Sequence, residues 1–176
     1  MNDKPVSGSG LDDLLTPTLQ DQCAPLAAEK PWRVQSQFYI AFFGGILPLT
    51  VIAYLNAKKL GLSTSMRNRI ILLGVVALAV AMVGTGLYLH SKGIGDLSHA
   101  IRNSAVRRTL RWGPRLAAIL LYLPLRRIQA PADRLYQFNS DEEDSYASLW
   151  KAGILAVLVL GTLQSFAFSI LIPLLF

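Results

Sequence analysis

Three blocks of uninterrupted apolar sequence divide the chain. Residues 70–89, IILLGVVALAVAMVGTGLYL, are twenty positions without a charge, and only Thr85 and Tyr88 are polar. As a helix they rise about 30 Å, the thickness of a bilayer's hydrocarbon core. A core helix of a soluble domain has no need to be apolar on every face for that length, so the pattern predicts a membrane span. Residues 38–55, FYIAFFGGILPLTVIAYL, form an uncharged block of eighteen that Gln37 and Asn56 extend. Residues 152–176 form an uncharged block of twenty-five. The fold class expected is all-α: a polytopic integral membrane protein with three transmembrane helices and a basic interfacial or re-entrant segment. Four spans are the alternative.

The domain plan follows from these blocks. Residues 1–36 form a tail, 37–56 the first transmembrane helix and 57–69 a short basic loop. Residues 70–90 form the second span, 91–150 a basic hairpin and 151–176 the third span. Pro48 predicts a kink in the first span, because its ring clashes with the carbonyl of Gly44. In the basic hairpin, Leu97, Ile101, Ala105 and Trp112 line one helical face, as expected of a helix lying along the headgroup layer. Gly113-Pro114 is expected to break that helix. Residues 116–125, LAAILLYLPL, reach about 15 Å, half a bilayer, and read as re-entrant or interfacial. Lengthening them upstream into a span would bury Arg115, Arg111, Arg108 and Arg107, which is costly in hydrocarbon.

Four prolines and an SGSG run make the tail a poor candidate for a packed unit. Within it, Leu11, Leu14 and Leu15 share a helical face and, with Leu19, suggest a docking segment for a soluble partner. Asp12 and Asp13 suit the first turn of such a helix.

Charge refines the picture. The net charge is +6, and the basic residues flank the apolar blocks. Anionic lipid headgroups are therefore the expected counter-charge, and nucleic acid is not an expected partner. With three spans, thirteen Lys and Arg fall on the side of the tail and residues 91–151, against four in the loop 57–69. By the positive-inside rule the N-terminus is cytoplasmic, and a plasma-membrane location is expected. The four uncompensated cations of the short loop sit awkwardly in that scheme. Four spans would divide the charges nine to eight.

Two sets of residues are candidate contacts. Gly44, Gly45, Gly74, Gly84, Gly86, Gly161 and Ser165 are small positions that admit a neighbouring helix closely. Gln164 is the most polar side chain deep in any block, so its amide should face another helix or a copy of itself. Arg107, Arg108, Arg111, Trp112, Arg115, Arg126 and Arg127 are the expected headgroup contacts. The stretch Tyr146-Ala-Ser-Leu-Trp150 closes the polar region before the third span.

Catalytic and metal patterns do not emerge. Two histidines, His90 and His99, and one cysteine, Cys23, cannot form a zinc site. The run Asp141-Glu142-Glu143-Asp144 lacks the alternating ligands and glycine turn of a calcium loop. No nucleophile elbow or phosphate-cradling glycine loop is present. No signal peptide, myristoylation glycine or prenylation box is evident. No ionisable residue lies inside the three blocks, which argues against a proton-coupled pump. The expectation is a non-enzymatic membrane subunit or scaffold, without cofactor or metal, packing with other subunits or itself. The alternative is an oligomeric channel or transporter component. A lipid-modifying enzyme, with arginines on phosphate and the acidic run on metal, is a third class without an identifiable base.

Overall fold

Gly45 sets the path of the first apolar block. In the computed structural model, which describes residues 29–91, 104–139 and 146–175, its backbone adopts φ 89° and ψ −157°. Glycine reaches that region without steric cost, and an L side chain does not. The residue separates helix α1, Gln37–Gly44, from helix α2, Ile46–Lys59. A straight helix would hold Gln37 and Asn56 roughly 29 Å apart. Instead both side chains donate to one acceptor, Gln129 Oε1, each at 3.0 Å. The chain therefore runs in along α1 and back along α2. This corrects the expectation of one kinked span over residues 37–56. Pro48 is not the cause of the bend. It is the third residue of α2, in the first turn, where its missing N–H leaves no helical bond unmade.

The turn into the next helix is also set locally. Leu62 N–H donates to Ala57 C=O at 3.0 Å and Gly61 N–H to Lys58 C=O at 3.2 Å. With Gly61 at φ 70°, these are the paired bonds of a Schellman cap. Ser63 Oγ then accepts from Met66 N–H at 3.4 Å and caps the start of α3, Thr64–Ser91. The loop expected over 57–69 thus contracts to residues 60–63, because both flanking helices carry good end signals. α2 and α3 pack antiparallel, with Thr50 against Gly74.

Helix α4, Ser104–Asn139, is continuous through Pro114, Pro124 and Pro131. Neither the break expected at Gly113-Pro114 nor a separate re-entrant piece at 116–125 is formed. A proline removes one helical bond and crowds one carbonyl, and it bends a helix without ending it where neighbours hold both flanks. Here Ala118, Leu121, Tyr122 and Leu125 are buried in one cluster with Ala41, Leu49, Ala53 and Ile70 of α1, α2 and α3. Residues 97–103 of the expected interfacial helix lie outside the described part.

Helix α5, Trp150–Leu175, runs beside the hairpin. Its start lies against the start of α1, and Phe168 packs with Leu89 near the end of α3. The described residues thus form five helices and no strand. Two helices, α3 and α5, are long and apolar enough to cross a membrane, and only 22% and 17% of their apolar windows are buried. Val75, Val76, Val80 and Val83 of α3 and Leu155, Leu158, Val159 and Leu163 of α5 face outward.

Ten of the fourteen Lys and Arg in the described residues lie at the end where α1 begins and α2 closes. Arg107, Arg108, Arg111 and Arg115 lie toward the other end.

Two glycines of α3 give opposite expectations. A methyl at Gly74 would overlap the Thr50 side chain, so Gly74→Ala should cost about 1–3 kcal/mol by overpacking. A methyl at Gly84 would meet nothing within 4 Å, so Gly84→Ala should add about 0.5–1 kcal/mol of helix stability. Thermal unfolding in mild detergent checks both signs.

Candidate functional site

Three polar assemblies hold the α1–α2 hairpin. The first is a clasp at its open end. Gln37, Asn56 and Gln129 are all fully buried. Gln129 Oε1 accepts from Gln37 Nε2 and Asn56 Nδ2, each at 3.0 Å, and Gln129 Nε2 donates back to Gln37 Oε1 at 3.4 Å. Asn56 Oδ1 accepts the Trp32 backbone N–H at 2.7 Å. Burying an amide without a partner is unfavourable, so the reciprocal pairing is what allows these groups inside. Lys59 covers the clasp from outside. Its ammonium lies 4.1 Å from the Trp32 ring centre and 3.3 Å from Glu29 Oε2.

The second assembly joins the ends of α1, α4 and α5. Tyr146 O–H donates to Asp133 Oδ1 at 3.1 Å. The Arg33 guanidinium lies 5.3 Å from the Tyr146 ring centre, and Ala147 N–H donates to Pro31 C=O at 2.9 Å. Burial pushes the Asp133 carboxyl above the usual carboxylate range, against the opposing pull of the Tyr146 bond, the Arg33 charge and the Val34 backbone N–H. Burial, with the Asp133 charge beside it, raises the Tyr146 hydroxyl to about 12.

The third assembly is at the closed end. Gln164 of α5 is buried, and its Oε1 accepts the Leu47 N–H at 2.9 Å. Leu47 is the second residue of α2, so the amide satisfies one of the donors left free at a helix start. Gly45 makes room: a methyl there would sit 3.1 Å from Gln164 Nε2. One turn earlier on α5, Gly161 lies against the Gly44 carbonyl.

Between α1 and α5 runs a groove of about 510 Å³. Arg33, Ser36, Tyr146 and Ser148 line one part of it together with Ala147 and Leu149, and Ile40, Phe43, Ile154, Val157 and Leu158 line another. Gly153 sets its floor, since a methyl there would meet Ile40 Cδ1 at 2.6 Å.

The residues expected to pack helices divide accordingly. Gly44, Gly45, Gly161 and Gln164 converge on the closed end, and Gly74 meets α2. Gly86 is buried in α3, whereas Gly84 faces open space. Ser165 is exposed, and its hydroxyl donates to Gly161 C=O at 2.9 Å. The expected headgroup residues are not gathered at one place. Trp112 is exposed, lies edge-on to Phe42 and carries Arg115 at 5.4 Å from its ring centre. Arg108, Arg126 and Arg127 are exposed, and Arg107 and Arg111 lie on the same helix. The segment holding Leu11 to Leu19, the acidic run, Cys23 and His99 fall outside the described residues. Among the described residues no cluster of His, Cys, Asp and Glu is arranged to hold a metal ion.

Sequence reasoning missed Gln129, Asn56, Arg33, Asp133 and Gly153 as site residues. Asn56 carried a usable signal, as an amide placed beside an apolar block. Gln129 carried none, since it stands in polar sequence. No family model, curated protein or solved structure matches the chain.

Gln129→Leu removes the shared acceptor and leaves the Gln37 and Asn56 amides buried without it. A loss of about 1–3 kcal/mol for each stranded group is expected in denaturant unfolding. The Tyr146 shift has a definite sign. Its proton is held more tightly in the folded chain, so stability is intact below pH 10 and falls as pH rises toward about 12. In an absorbance titration Tyr146→Phe should remove one tyrosine from the late-ionising step.

Proposed function

We propose that the chain is a multi-pass integral membrane protein acting as a non-enzymatic subunit or scaffold. Helices α3 and α5, the two apolar enough to span, cross the bilayer. α4 returns between their ends with its apolar face packed on α1, α2 and α3, and α1–α2 is a re-entrant hairpin that enters and leaves on one side. Backbone at membrane depth is tolerated only where protein satisfies it, and Gln164 on Leu47 meets that requirement. On this topology the loop 57–69 shares a side with the tail, and eleven Lys and Arg stand on that side against six on the other. The positive-inside rule then makes the hairpin's open end cytoplasmic, and the four basic residues of the loop cease to be an exception.

One observation carries the subunit reading. The four buried amides, Gln37, Asn56, Gln129 and Gln164, are all committed to holding the hairpin in place. Interior polarity therefore serves shape and not reaction. The glycines of the closed end are likewise occupied within the chain, so partner subunits and anionic lipids meet the outer faces of α3 and α5.

Topology is tested by labelling single cysteines in a Cys23→Ser background with a membrane-impermeant maleimide. Lys30→Cys and Ser63→Cys should react from the same face, and His90→Cys from the opposite one. Reaction of the first two from opposite faces would refute the re-entrant hairpin. Purification in mild detergent should yield a homo-oligomer or a co-purifying membrane protein. A lone monomer that conducts solute in liposomes would instead identify a transport protein.

A further inference from the structure

We propose that the groove between α1 and α5 is a phospholipid site, taking one acyl chain along its length and the phosphate at Arg33. This rests on the proposal that the chain sits in a bilayer.

The groove's polarity is graded along its axis. Its polar lining, Arg33, Ser36, Tyr146 and Ser148, comes from the segments before α1 and α5. Ala147 and Leu149 of the segment before α5 also line that end. Beyond Tyr39 the helices present Ile40, Phe43, Ile154, Val157 and Leu158, which carry the lining away from it. From Arg33 to Phe43 the chain runs through a 3-10 turn at Val34–Ser36 and along α1, about 15 Å in all. That is half of the roughly 30 Å hydrocarbon core, the depth of one leaflet. A volume near 510 Å³ suits a small-molecule ligand, for which sites of about 300–1,000 Å³ are usual. The floor is fixed by Ile40 seated on Gly153.

Charge supplies the headgroup end. Arg33 is exposed and forms no ion pair with a described carboxylate. Asp133, the carboxylate its charge acts on, already accepts from Tyr146 and from the Val34 backbone N–H. Stacking on Tyr146 holds the guanidinium at the mouth. A planar guanidinium with free donors matches phosphate oxygens in pairs. Ser36 and Ser148 add hydroxyls beside it. A headgroup phosphate there leaves its chain pointing along the only apolar direction the groove offers.

The test uses the full-length protein in phosphatidylglycerol–phosphatidylcholine vesicles with a phospholipid carrying a photoreactive group on one acyl chain. Crosslinks are mapped by mass spectrometry, and vesicle flotation is measured in parallel. Labelling should concentrate on Phe43, Ile154 and Leu158. Arg33→Gln should lower the yield about tenfold, the weight of one charge-assisted contact. Lys58→Gln should leave it unchanged. Ile154→Trp should block the groove; should that variant misfold, the wild-type map and Arg33→Gln decide. Equal labelling of the outward face of α3 would show annular lipid only and overturn the site. So would an unaltered yield in Arg33→Gln, competition by a free fatty acid as effective as by phospholipid, or a partner protein crosslinked to the groove in place of lipid. Flotation without groove labelling sinks the site and leaves the membrane placement standing. Absence of flotation sinks both.

Discussion

A helix that reverses direction inside an apolar bundle strands backbone donors where no water reaches them, and the rest of this structure answers that constraint. The first residues of α2 have no preceding helical turn to bond. One donor is absent because Pro48 lacks it, and the Leu47 N–H is taken by the Gln164 amide. Closing the hairpin's other end needs a polar group that accepts from two helices at once, and Gln129 provides it. Each amide comes from a different helix, α5 at the closed end and α4 at the open end. The hairpin therefore depends on both, and neither end is satisfied by local sequence.

This division has consequences for packing. Small residues stand where the hairpin meets its neighbours most closely: Gly44 and Gly45 against α5, Gly161 opposite them, and Gly153 under Ile40. A Cβ at Gly44 would lie 2.9 Å from both Pro48 and Val157, so reversal and close approach are served by the same two residues. The groove runs along the outer seam of α1 and α5, beside the contacts of Gly44 with Val157 and of Ile40 with Gly153. The groove is thus a by-product of the hairpin's geometry, and Arg33 stands at its mouth because the chain must start α1 beside the start of α5. The bond between Ala147 and Pro31 ties those two starts together.

The long helix α4 shows how packing overrules local signals. Gly113-Pro114, Pro124 and Pro131 each disfavour continuing a helix, and a proline inside one costs on the order of 3 kcal/mol. A buried face of Ala118, Leu121, Tyr122 and Leu125 against three other helices offsets this. Of the stretch read as a separate re-entrant segment, Ala118, Leu121, Tyr122 and Leu125 form the buried face of one packed helix, and Leu116, Leu120 and Leu123 face outward. The element that turns back on itself is α1–α2 instead.

By itself the sequence determined that this chain is helical, where its two long apolar helices lie and that Gln164 must meet a partner. Uncharged runs of that length admit one conformation in which every backbone group is paired locally, so those conclusions need no knowledge of neighbours. It also marked Gly44-Gly45 as a place of close approach. Tertiary structure alone decided that the first block turns back, because a glycine permits a left-handed backbone but only Gln129 and Gln164, 84 and 119 residues further on, make the reversal favourable. It alone joined Arg33 to Asp133 and Tyr146, a hundred residues or more further along the chain. Contacts across such separations arise from how helices stack, and no local pattern of residues encodes them.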